Sequence, residues 1–431
     1  MAESRRLPND ATDHFGRHAA RWRHEAAEAY EDERTASLDG LLAAHAIVAG
    51  YLHEQLQSDG APGAVARLAR GRRTLGALLG HALDTGRWEQ GQQILQPLSV
   101  LWSLRGLDEE ARGWLERARA AVEAADGPAP DLDTDAGALW LFAAGHQGTT
   151  LVGAGRLDEA AAVYLDLAER LEAQPGSVRR NGRLASVYGE LGAVAHLQGN
   201  YGDAEGWHRK ALRIEESRHN PRGVAGSHHQ LGIVAELRGK LDEAESWHRK
   251  ALGIQHSLDD RPGLAASYHQ LGMVAQAQMK LDEAEDWYRK ALDIEVSLGD
   301  GPKMAATHHQ LGMVAELRGS LADAEDRYRR SLAIKEPLDD RAGMAVTYAQ
   351  LGLLEETRGN FEEALAWNVR CVALFDQVPH PATGTGPARL AALTAHLGED
   401  ELERCWAEVT GQPVPPAVTA FVGLHALALP S

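Results

Sequence analysis

Apolar residues recur at steps of three and four positions in paired blocks along most of the chain, which predicts helices rather than strands. Within each pair the blocks are separated by a short break of the form Gly-x-Leu/Phe-x-x-Ala, typical of a tight turn between two helices. Longer breaks, LDDRPG, LGDGPK and LDDRAG, separate one pair from the next and carry the Asp, Gly and Pro residues of loops. The pattern therefore predicts an all-α chain of helical hairpins.

The hairpins repeat with a period of 40 residues. The repeated Leu-Gly pairs are Leu191-Gly192, Leu231-Gly232, Leu271-Gly272, Leu311-Gly312 and Leu351-Gly352, and the alanines twelve positions after each glycine are Ala204, Ala244, Ala284, Ala324 and Ala364. Small residues at these places let the two helices of a hairpin cross closely. One hairpin cannot bury its apolar face alone, so we expect the hairpins to stack.

The spacing of Leu-Gly and alanine, with an aromatic residue four positions after the alanine at Tyr288 and Tyr328, resembles the tetratricopeptide repeat. The 40-residue length is similar to the repeats of kinesin light chain and of many bacterial signalling proteins. This resemblance implies a right-handed α-solenoid, a superhelix of antiparallel helix pairs. The chain departs from the family at His208, His248 and Asn368, which replace the second-helix aromatic residue.

Four regions follow from the same features. Residues 1–127 predict a helical N-terminal region with degenerate repeats, and residues 128–182 a linker followed by a divergent repeat. Residues 183–378 hold five regular repeats. For residues 379–431 we predict two C-terminal capping helices. The N-terminal region resembles the helical sensor region of STAND-type signalling ATPases, although the sequence has no G-x-x-x-x-G-K-[ST] loop.

Composition narrows the function classes. The net charge is −18, which argues against a nucleic-acid-binding surface, because phosphate binding needs a basic face. Two cysteines in 431 residues argue against a disulfide-built secreted fold. No apolar run reaches the roughly 18–20 residues that span a bilayer. We therefore expect a cytoplasmic protein that binds neither nucleic acid nor membrane; the sequence does not indicate an oligomeric state.

No recognised catalytic motif is present, so we expect no catalytic residue, no cofactor and no enzyme activity. The string DLDTDAG at 131–137 has the alternating aspartates of a calcium loop. Such a loop needs Gly at its sixth place and Glu at its twelfth, and Ala136 and Phe142 stand there instead. The string is therefore interpreted as a loop in which Thr134 or Asp135 caps the next helix.

Three rows of residues mark a candidate ligand-binding groove. In the tetratricopeptide repeat, the fifth, ninth and twelfth positions of the first helix face the concave side, and spacings of four and three put them on one helix face. The fifth position carries His229, His269 and His309; the ninth carries Ile233, Met273, Met313 and Leu353; the twelfth carries Glu236, Gln276 and Glu316, with His196 and Glu356 at the two ends. The preceding residues His228 and His308 are expected in the core.

Three interpretations of the histidine row remain open. The first is a peptide-binding stripe, in which apolar side chains give adaptable contact and the polar rows hydrogen-bond a main chain. The second is a metal site, which geometry disfavours because packed helices lie ~8–10 Å apart while two nitrogens on one zinc ion lie within about 4 Å. The third is that repeat duplication copied a histidine without a role. If the ligand is acidic and the imidazoles titrate near pH ~6.5, affinity should rise as the pH falls from ~7.5 to ~6.

The sequence thus predicts a non-catalytic scaffold in bacterial signalling or regulation that holds a protein or peptide segment in its groove. One alternative is an enzyme, or an enzyme accessory, that uses the groove as a small-molecule pocket. Another is the sensor half of a split signalling ATPase.

Overall fold

The chain is helical throughout the part that the structure describes. That part, in a computed structural model, comprises residues 38–56, 60–127, 130–175 and 177–426. Within it there are nineteen α-helices, two 3-10 helices and no strand, which confirms the predicted all-α fold. The chain divides into two compact units, the first ending at His219 and the second beginning at Asn220. The segment 1–37 of the predicted N-terminal region lies outside the described residues.

Eight helices form the described part of the first unit. They are α1 (Leu38–Gln55), α2 (Ala61–Asp84), α3 (Trp88–Arg105), α4 (Asp108–Asp126), α5 (Asp135–Gly153), α6 (Leu157–Ala173), α7 (Val178–Leu197) and α8 (Tyr201–Ser217). From α4 to α8 each helix packs on the next. The apolar faces of the eight helices form one core that includes the fully buried rings of Trp102 on α3 and Trp140 on α5. Thr134 accepts a hydrogen bond from the backbone N–H of Gly137 at 3.1 Å. Thr134 therefore caps α5, as predicted from the sequence.

Eleven helices form the described part of the second unit. They are α9 (Pro221–Leu237), α10 (Leu241–Ser257), α11 (Arg261–Ala277), α12 (Leu281–Leu298), α13 (Gly301–Leu317), α14 (Leu321–Lys335), α15 (Arg341–Arg358), α16 (Phe361–Ala373), α17 (Gly386–Leu397), α18 (Glu399–Thr410) and α19 (Pro416–Ala426). Helices α9 to α16 form four hairpins, and the second helix of each packs on the first helix of the next.

The tight turn inside each hairpin needs one residue with a left-handed backbone. Gly239, Gly319 and Gly359 supply it with φ of 70°, 76° and 81°. Met279 holds the same place in the second hairpin with φ of 60°. A side chain makes this conformation unfavourable, so glycine is the residue that fits the turn.

The glycine of each Leu-Gly pair lies against a ring of the second helix. A Cβ atom at Gly272 would stand 2.6 Å from Cε1 of Tyr288, and one at Gly232 would stand 2.4 Å from Cε1 of His248. Ala244, the small residue of the second helix, is fully buried one turn earlier on the same helix as His248. The small residue therefore makes room for a ring, and the hairpin closes around that ring.

Loops between hairpins end in an aspartate that caps the next first helix. The side chains of Asp260, Asp300 and Asp340 accept hydrogen bonds from the backbone N–H three residues later, at 3.1, 3.2 and 2.9 Å. These bonds satisfy N–H groups that a helix start leaves without a partner. The Asp-rich breaks in the sequence are thus helix caps.

Tryptophans of the second helices pack on rings of the first helices and are also covered by lysines. Trp247 and Trp287 stack on the first-helix rings of His228 and Tyr268, with ring centroids 5.2 and 5.6 Å apart. Lys290 lies over Trp287 at 4.1 Å. Arginines of the second helices pair with a glutamate of their own helix, as in Arg249 with Glu245 and Arg329 with Glu325, both at 2.8 Å.

Three helices, rather than the predicted two, follow the last hairpin. Helices α17 and α18 match the two predicted capping helices, and α19 was missed because its proline-flanked segment lacks helical periodicity. Val418 and Val422 of α19 are buried against the α17–α18 cluster, which includes Trp406. Both cysteines, Cys371 and Cys405, are free and buried. No helix in the described ranges combines the length and the apolar character needed to cross a membrane.

Candidate functional site

The three predicted histidines lie at equivalent places on three successive first helices of the second unit. His229, His269 and His309 belong to α9, α11 and α13, and each is half-buried. Their rings pack edge-on or tilted against second-helix rings of their own hairpins, His248, Tyr288 and Tyr328, with centroids 5.3–5.4 Å apart. The imidazoles therefore belong partly to the hairpin packing and partly to the surface.

Two of these imidazoles also bind the following hairpin. Nδ1 of His269 lies 2.9 Å from the Thr307 hydroxyl oxygen, and Nδ1 of His309 lies 3.2 Å from that of Thr347. Nδ1 of His229 is buried and has no hydrogen-bond partner. Each ring thus turns Nδ1 inward. The Nε2 atoms of His269 and His309 make no hydrogen bond within the described residues and are not among the buried polar atoms.

The twelfth-position row is hydrogen-bonded within its own hairpins. Glu236 lies 2.7 Å from Nε2 of His248. The Tyr288 hydroxyl donates to Gln276 at 3.0 Å, and the Tyr328 hydroxyl donates to Glu316 at 2.8 Å. We expected these side chains to be available to a ligand. Instead, an oxygen atom of each side chain is hydrogen-bonded to a buried second-helix side chain, which needs a polar partner in the interior.

The ninth-position row lies between the histidines and the twelfth-position row along each first helix. Its members are half-buried: Ile233, Met273, Met313 and Leu353. Met273 and Met313 pack at the margin of hairpin cores and leave part of each thioether side chain exposed. We call the surface made by the fifth- and ninth-position residues of α9, α11, α13 and α15 the imidazole face.

Sequence reasoning missed a glutamine row beside the histidines. The half-buried members are Gln230, Gln270, Gln310 and Gln350. Oε1 of Gln270 is buried and has no partner. The signal was available, because glutamine recurs at the 40-residue period in four of the five regular repeats, with Glu190 in the first.

A second set of missed residues lies beneath the imidazole face. It has one member near the end of a second helix and one on the next first helix, twelve residues later, and we call it the polar column: Gln255 and Ser267, Glu295 and Thr307, and Lys335 and Thr347. The Gln255 amide oxygen and the Ser267 hydroxyl have no hydrogen-bond partner among the described residues. Thr307 donates to Glu295 at 3.1 Å, and Lys335 donates to Thr347 at 2.8 Å. All six residues are buried. Burial raises the pKa of Glu295 and lowers that of Lys335, since each charged form loses water.

The imidazoles are neutral around pH 7. Loss of water around the rings lowers the pKa of His229, His269 and His309 to about 4. The expectation that they gain charge between pH ~7.5 and ~6 was therefore wrong, because the hairpin packing shields them. They can donate or accept hydrogen bonds as neutral rings.

His228 and His308 lie in the packed layer, as predicted. Both are buried, and His228 stacks on Trp247. Desolvation, helped by Arg327 and Arg330, lowers the pKa of His308 to about 4.

Among the described residues, no group of three His, Cys, Asp or Glu side chains is placed to hold a metal ion. One cavity of about 470 Å³ in the first unit is lined by Glu110, Arg112 and Arg156. Another, of about 210 Å³ in the second unit, is lined by Glu285, Arg289 and Arg318. Neither cavity includes a predicted site residue.

Comparison with known proteins supports the family resemblance. The family model of the tetratricopeptide repeat matches residues 183–255, 223–295 and 303–377. No curated protein matches the sequence.

Several solved structures are similar to this chain. One is a signal transduction ATPase with numerous domains and a tetratricopeptide-repeat sensor, from Pyrococcus horikoshii. It is 13% identical with a TM-score of 0.54, and the match covers 83% of this chain and 52% of that one. A second is BtubC from P. vanneervenii, 19% identical over 54% of this chain and 92% of that one, with a TM-score of 0.48. A third is the Rap conjugation gene regulator of plasmid pLS20 in complex with the Phr* peptide, 18% identical over 64% and 78%, with a TM-score of 0.44.

Proposed function

We propose that this tetratricopeptide-repeat protein is a non-catalytic scaffold that binds an extended segment of a protein or peptide along its imidazole face. The observation that carries the proposal is the combination on this face of half-exposed Met273 and Met313 with neutral imidazoles whose Nε2 atoms make no hydrogen bond to any other described residue. Methionine gives adaptable apolar contact, and the imidazole and glutamine groups can hydrogen-bond a main chain. A cytoplasmic, bacterial signalling or regulatory setting is part of this proposal.

Other features of the face favour a peptide over a small molecule. The ninth-position apolar residues run from α9 to α15 and the histidines from α9 to α13, with Ala349 at the histidine place of α15, so the surface repeats along the array rather than closing around one point. A segment lying across α9, α11, α13 and α15 would meet the same contact types several times. A pre-formed face lowers the ordering cost on the receptor side.

The experiment selects a peptide library on the full chain and measures the affinities of the selected peptides by calorimetry. The test variant is Met273→Ala with Met313→Ala, which removes apolar contact without adding charge. We expect about a tenfold loss of affinity or more, since each truncation costs about 1 kcal/mol of burial. The control is Val296→Ala, which truncates an exposed apolar side chain on the second helix α12.

Two outcomes contradict the proposal. One is that no peptide binds. The other is that the Val296→Ala variant loses as much affinity as the methionine double variant, since binding then does not depend on the imidazole face.

The split-ATPase sensor remains an alternative proposal, because the likeness to the Pyrococcus horikoshii protein extends over 83% of this chain. At 13% identity this likeness shows the fold alone. It would be favoured over peptide binding if a purified nucleotide-binding partner chain, and no peptide, bound the protein.

A further inference from the structure

A groove of about 660 Å³ lies in the first unit and is lined by residues of the three helices α6, α7 and α8. We call it the α6–α8 groove. Its apolar lining residues are Ala161, Leu165, Leu191, Val194, Ala195 and Trp207. Leu165 is 39% exposed, so the groove presents apolar surface to water. Removing such surface from water favours the binding of an apolar group.

The equivalent groove of the second unit is closed by a salt bridge. It is lined by α12, α13 and α14, has a volume of about 210 Å³, and is crossed by Arg318, which pairs with Glu285. Counted from the Leu-Gly pair of each hairpin, Gln198 stands where Arg318 does. Counted from the buried alanine of each second helix, Ala161 stands where Glu285 does. An amide and a methyl group form no salt bridge, so the α6–α8 groove stays open.

The basic residues of the α6–α8 groove lie at one end. The second half of α8 contributes all of them: Arg209, Lys210 and Arg213. The first half of α8 contributes two glycines and one carboxylate, which are Gly202, Gly206 and Asp203. The equivalent groove has Asp326 at the place of Gly206. The α6–α8 groove therefore has a basic end and an end with few polar side chains.

Two of the three cations have no carboxylate partner. Arg209 pairs with Glu205 at 2.8 Å. Lys210 lies over the Trp207 ring, with Nζ 4.0 Å from the centroid, and Arg213 is exposed. Neither Lys210 nor Arg213 forms a salt bridge with a described residue. In a chain of net charge −18, such cations beside apolar surface favour an anion that also has an apolar part.

The other end of the groove offers few hydrogen-bond partners to a peptide main chain. Backbone N–H groups of α8 beyond the first turn are used within the helix. Gln198 already donates to Asp158 at 2.8 Å. Asp203 is an anion there and repels an acidic segment. A peptide would thus exchange water for few new hydrogen bonds, whereas an acyl chain has no polar groups to satisfy.

We propose that the α6–α8 groove binds a fatty acid, whose acyl chain lies along α6 and α8 and whose carboxylate is held by Lys210 and Arg213. From Gly202 to Arg213, α8 advances about 16 Å, at about 1.5 Å per residue, which accommodates an extended chain of roughly a dozen carbons. The volume falls within the range of about 300–1,000 Å³ that is typical of small-molecule sites. The site uses no residue of the imidazole face.

Calorimetric titration of the full chain with dodecanoate, kept below its micelle-forming concentration, tests the class of ligand. Hexanoate shortens the chain, and dodecyltrimethylammonium reverses the charge of the head group. We expect dodecanoate to bind at least about tenfold more tightly than either, because the short acid covers fewer methylenes and the basic end repels the cationic head. No binding of dodecanoate, or equal binding of the cationic amphiphile, overturns the proposal.

A double variant tests the location of the site. Ala161→Glu with Gln198→Arg copies the salt bridge of the equivalent groove and should weaken dodecanoate binding at least about tenfold, because the apolar lining is covered. Ala162→Glu with Leu197→Arg adds the same two charges at exposed places outside the groove and should leave the affinity unchanged. Equal affinities of the two double variants overturn the proposal.

A single variant tests the position of the carboxylate. Arg213→Gln removes one cation and keeps the apolar lining, so dodecanoate should bind about threefold more weakly. Arg222→Gln removes an exposed arginine outside the groove and should have no effect. If the variant with Ala161→Glu and Gln198→Arg does not fold, this comparison decides, and an unchanged affinity of Arg213→Gln overturns the proposal.

Two further titrations separate this site from other occupants. The Met273→Ala and Met313→Ala double variant should bind dodecanoate as the wild type does; a loss there would place the fatty acid on the imidazole face and overturn the proposal. A synthetic amphipathic peptide of leucine and glutamate is titrated in parallel. If that peptide binds the groove and dodecanoate does not, the groove docks a protein helix and the fatty-acid proposal fails. None of these outcomes bears on peptide binding at the imidazole face.

Discussion

Nε2 of His248 lies 2.7 Å from a carboxylate oxygen of Glu236, although the His248 side chain has no exposed surface. The bond joins the two helices of one hairpin. Tyr288 and Tyr328 occupy the place of His248 in the next two hairpins and donate to Gln276 and Glu316. The twelfth-position row therefore supplies a polar partner to a ring that closes the hairpin.

Replacing His248 by alanine should destabilise the protein, and replacing it by tyrosine should not. His248→Ala leaves a cavity beneath Gly232 and removes the partner of Glu236, for a cost of about 3 kcal/mol. His248→Tyr reproduces the side chain of the following hairpins, which pack against an equivalent glycine. Urea unfolding of both variants measures the difference. Equal stabilities of the two variants would contradict this account of the hairpin.

The glycines of the Leu-Gly pairs should not tolerate even one methyl group. Gly272→Ala places a Cβ atom 2.6 Å from the Tyr288 ring, so we expect a loss of about 1–3 kcal/mol from overpacking. Gly253→Ala is the matched control, since its Cβ atom would meet nothing within 4 Å inside helix α10. It should stabilise the helix by roughly 0.5–1 kcal/mol. Thermal unfolding of the two variants should therefore move in opposite directions.

The fold could be predicted from the sequence because its determinants are local and repeated. The Leu-Gly period fixes the hairpins, and Asp260 or Asp300 marks where a first helix begins. Helix α19 was missed because its segment is short and lies between prolines. The ring that packs on each glycine, such as His248 on Gly232, could not be assigned, because spacing alone does not show which side chain of a crossing helix reaches the glycine.

Met279 is the exception among the hairpin turns and should be improved by glycine. It is 63% exposed and adopts φ of 60°, where the equivalent residues of the neighbouring turns are glycines. Met279→Gly removes about 1 kcal/mol of backbone strain and loses little packing. Gly319→Met makes the reverse change in the next hairpin and should lower the unfolding temperature. A lower unfolding temperature for Met279→Gly would show that the methionine side chain contributes more than its backbone costs.

The candidate site could be predicted only in part. The positions of His269 and Met273 on one helix follow from spacing. The bond from His269 to Thr307 could not be predicted, since it joins residues 38 positions apart through the packing of successive hairpins. The ionisation of the imidazoles depends on that same packing. The sequence suggested that the fifth-position histidines titrate near pH ~6.5, but they are buried enough to stay neutral there.

The depressed histidine pKa values make the stability of the protein depend on pH. In the second unit, desolvation lowers the pKa of His229, His269, His308 and His309 to about 4, while an unfolded histidine titrates near 6.5. As the pH falls below 6.5, the unfolded chain therefore takes up protons that the folded chain does not, and the free energy of unfolding decreases. Burial raises the pKa of Glu295, and this shift increases the free energy of unfolding as the pH falls. It concerns one carboxyl group, whereas four histidines contribute to the decrease.

Urea midpoints measured from about pH 7.5 to about pH 5 should stay level above roughly pH 7 and then decrease. This range lies above the titration of most unfolded carboxyl groups, so it isolates the histidines. His308→Tyr tests the assignment, because Tyr268 and Tyr348 already occupy the same place in neighbouring hairpins. The variant should fold and should show a smaller decrease, since it lacks one of the depressed groups. If the stability stays constant or increases as the pH is lowered from about 6.5 to about 5, the folded protein takes up protons on its imidazoles. The proposal that neutral imidazoles of the imidazole face hydrogen-bond a ligand would then be contradicted.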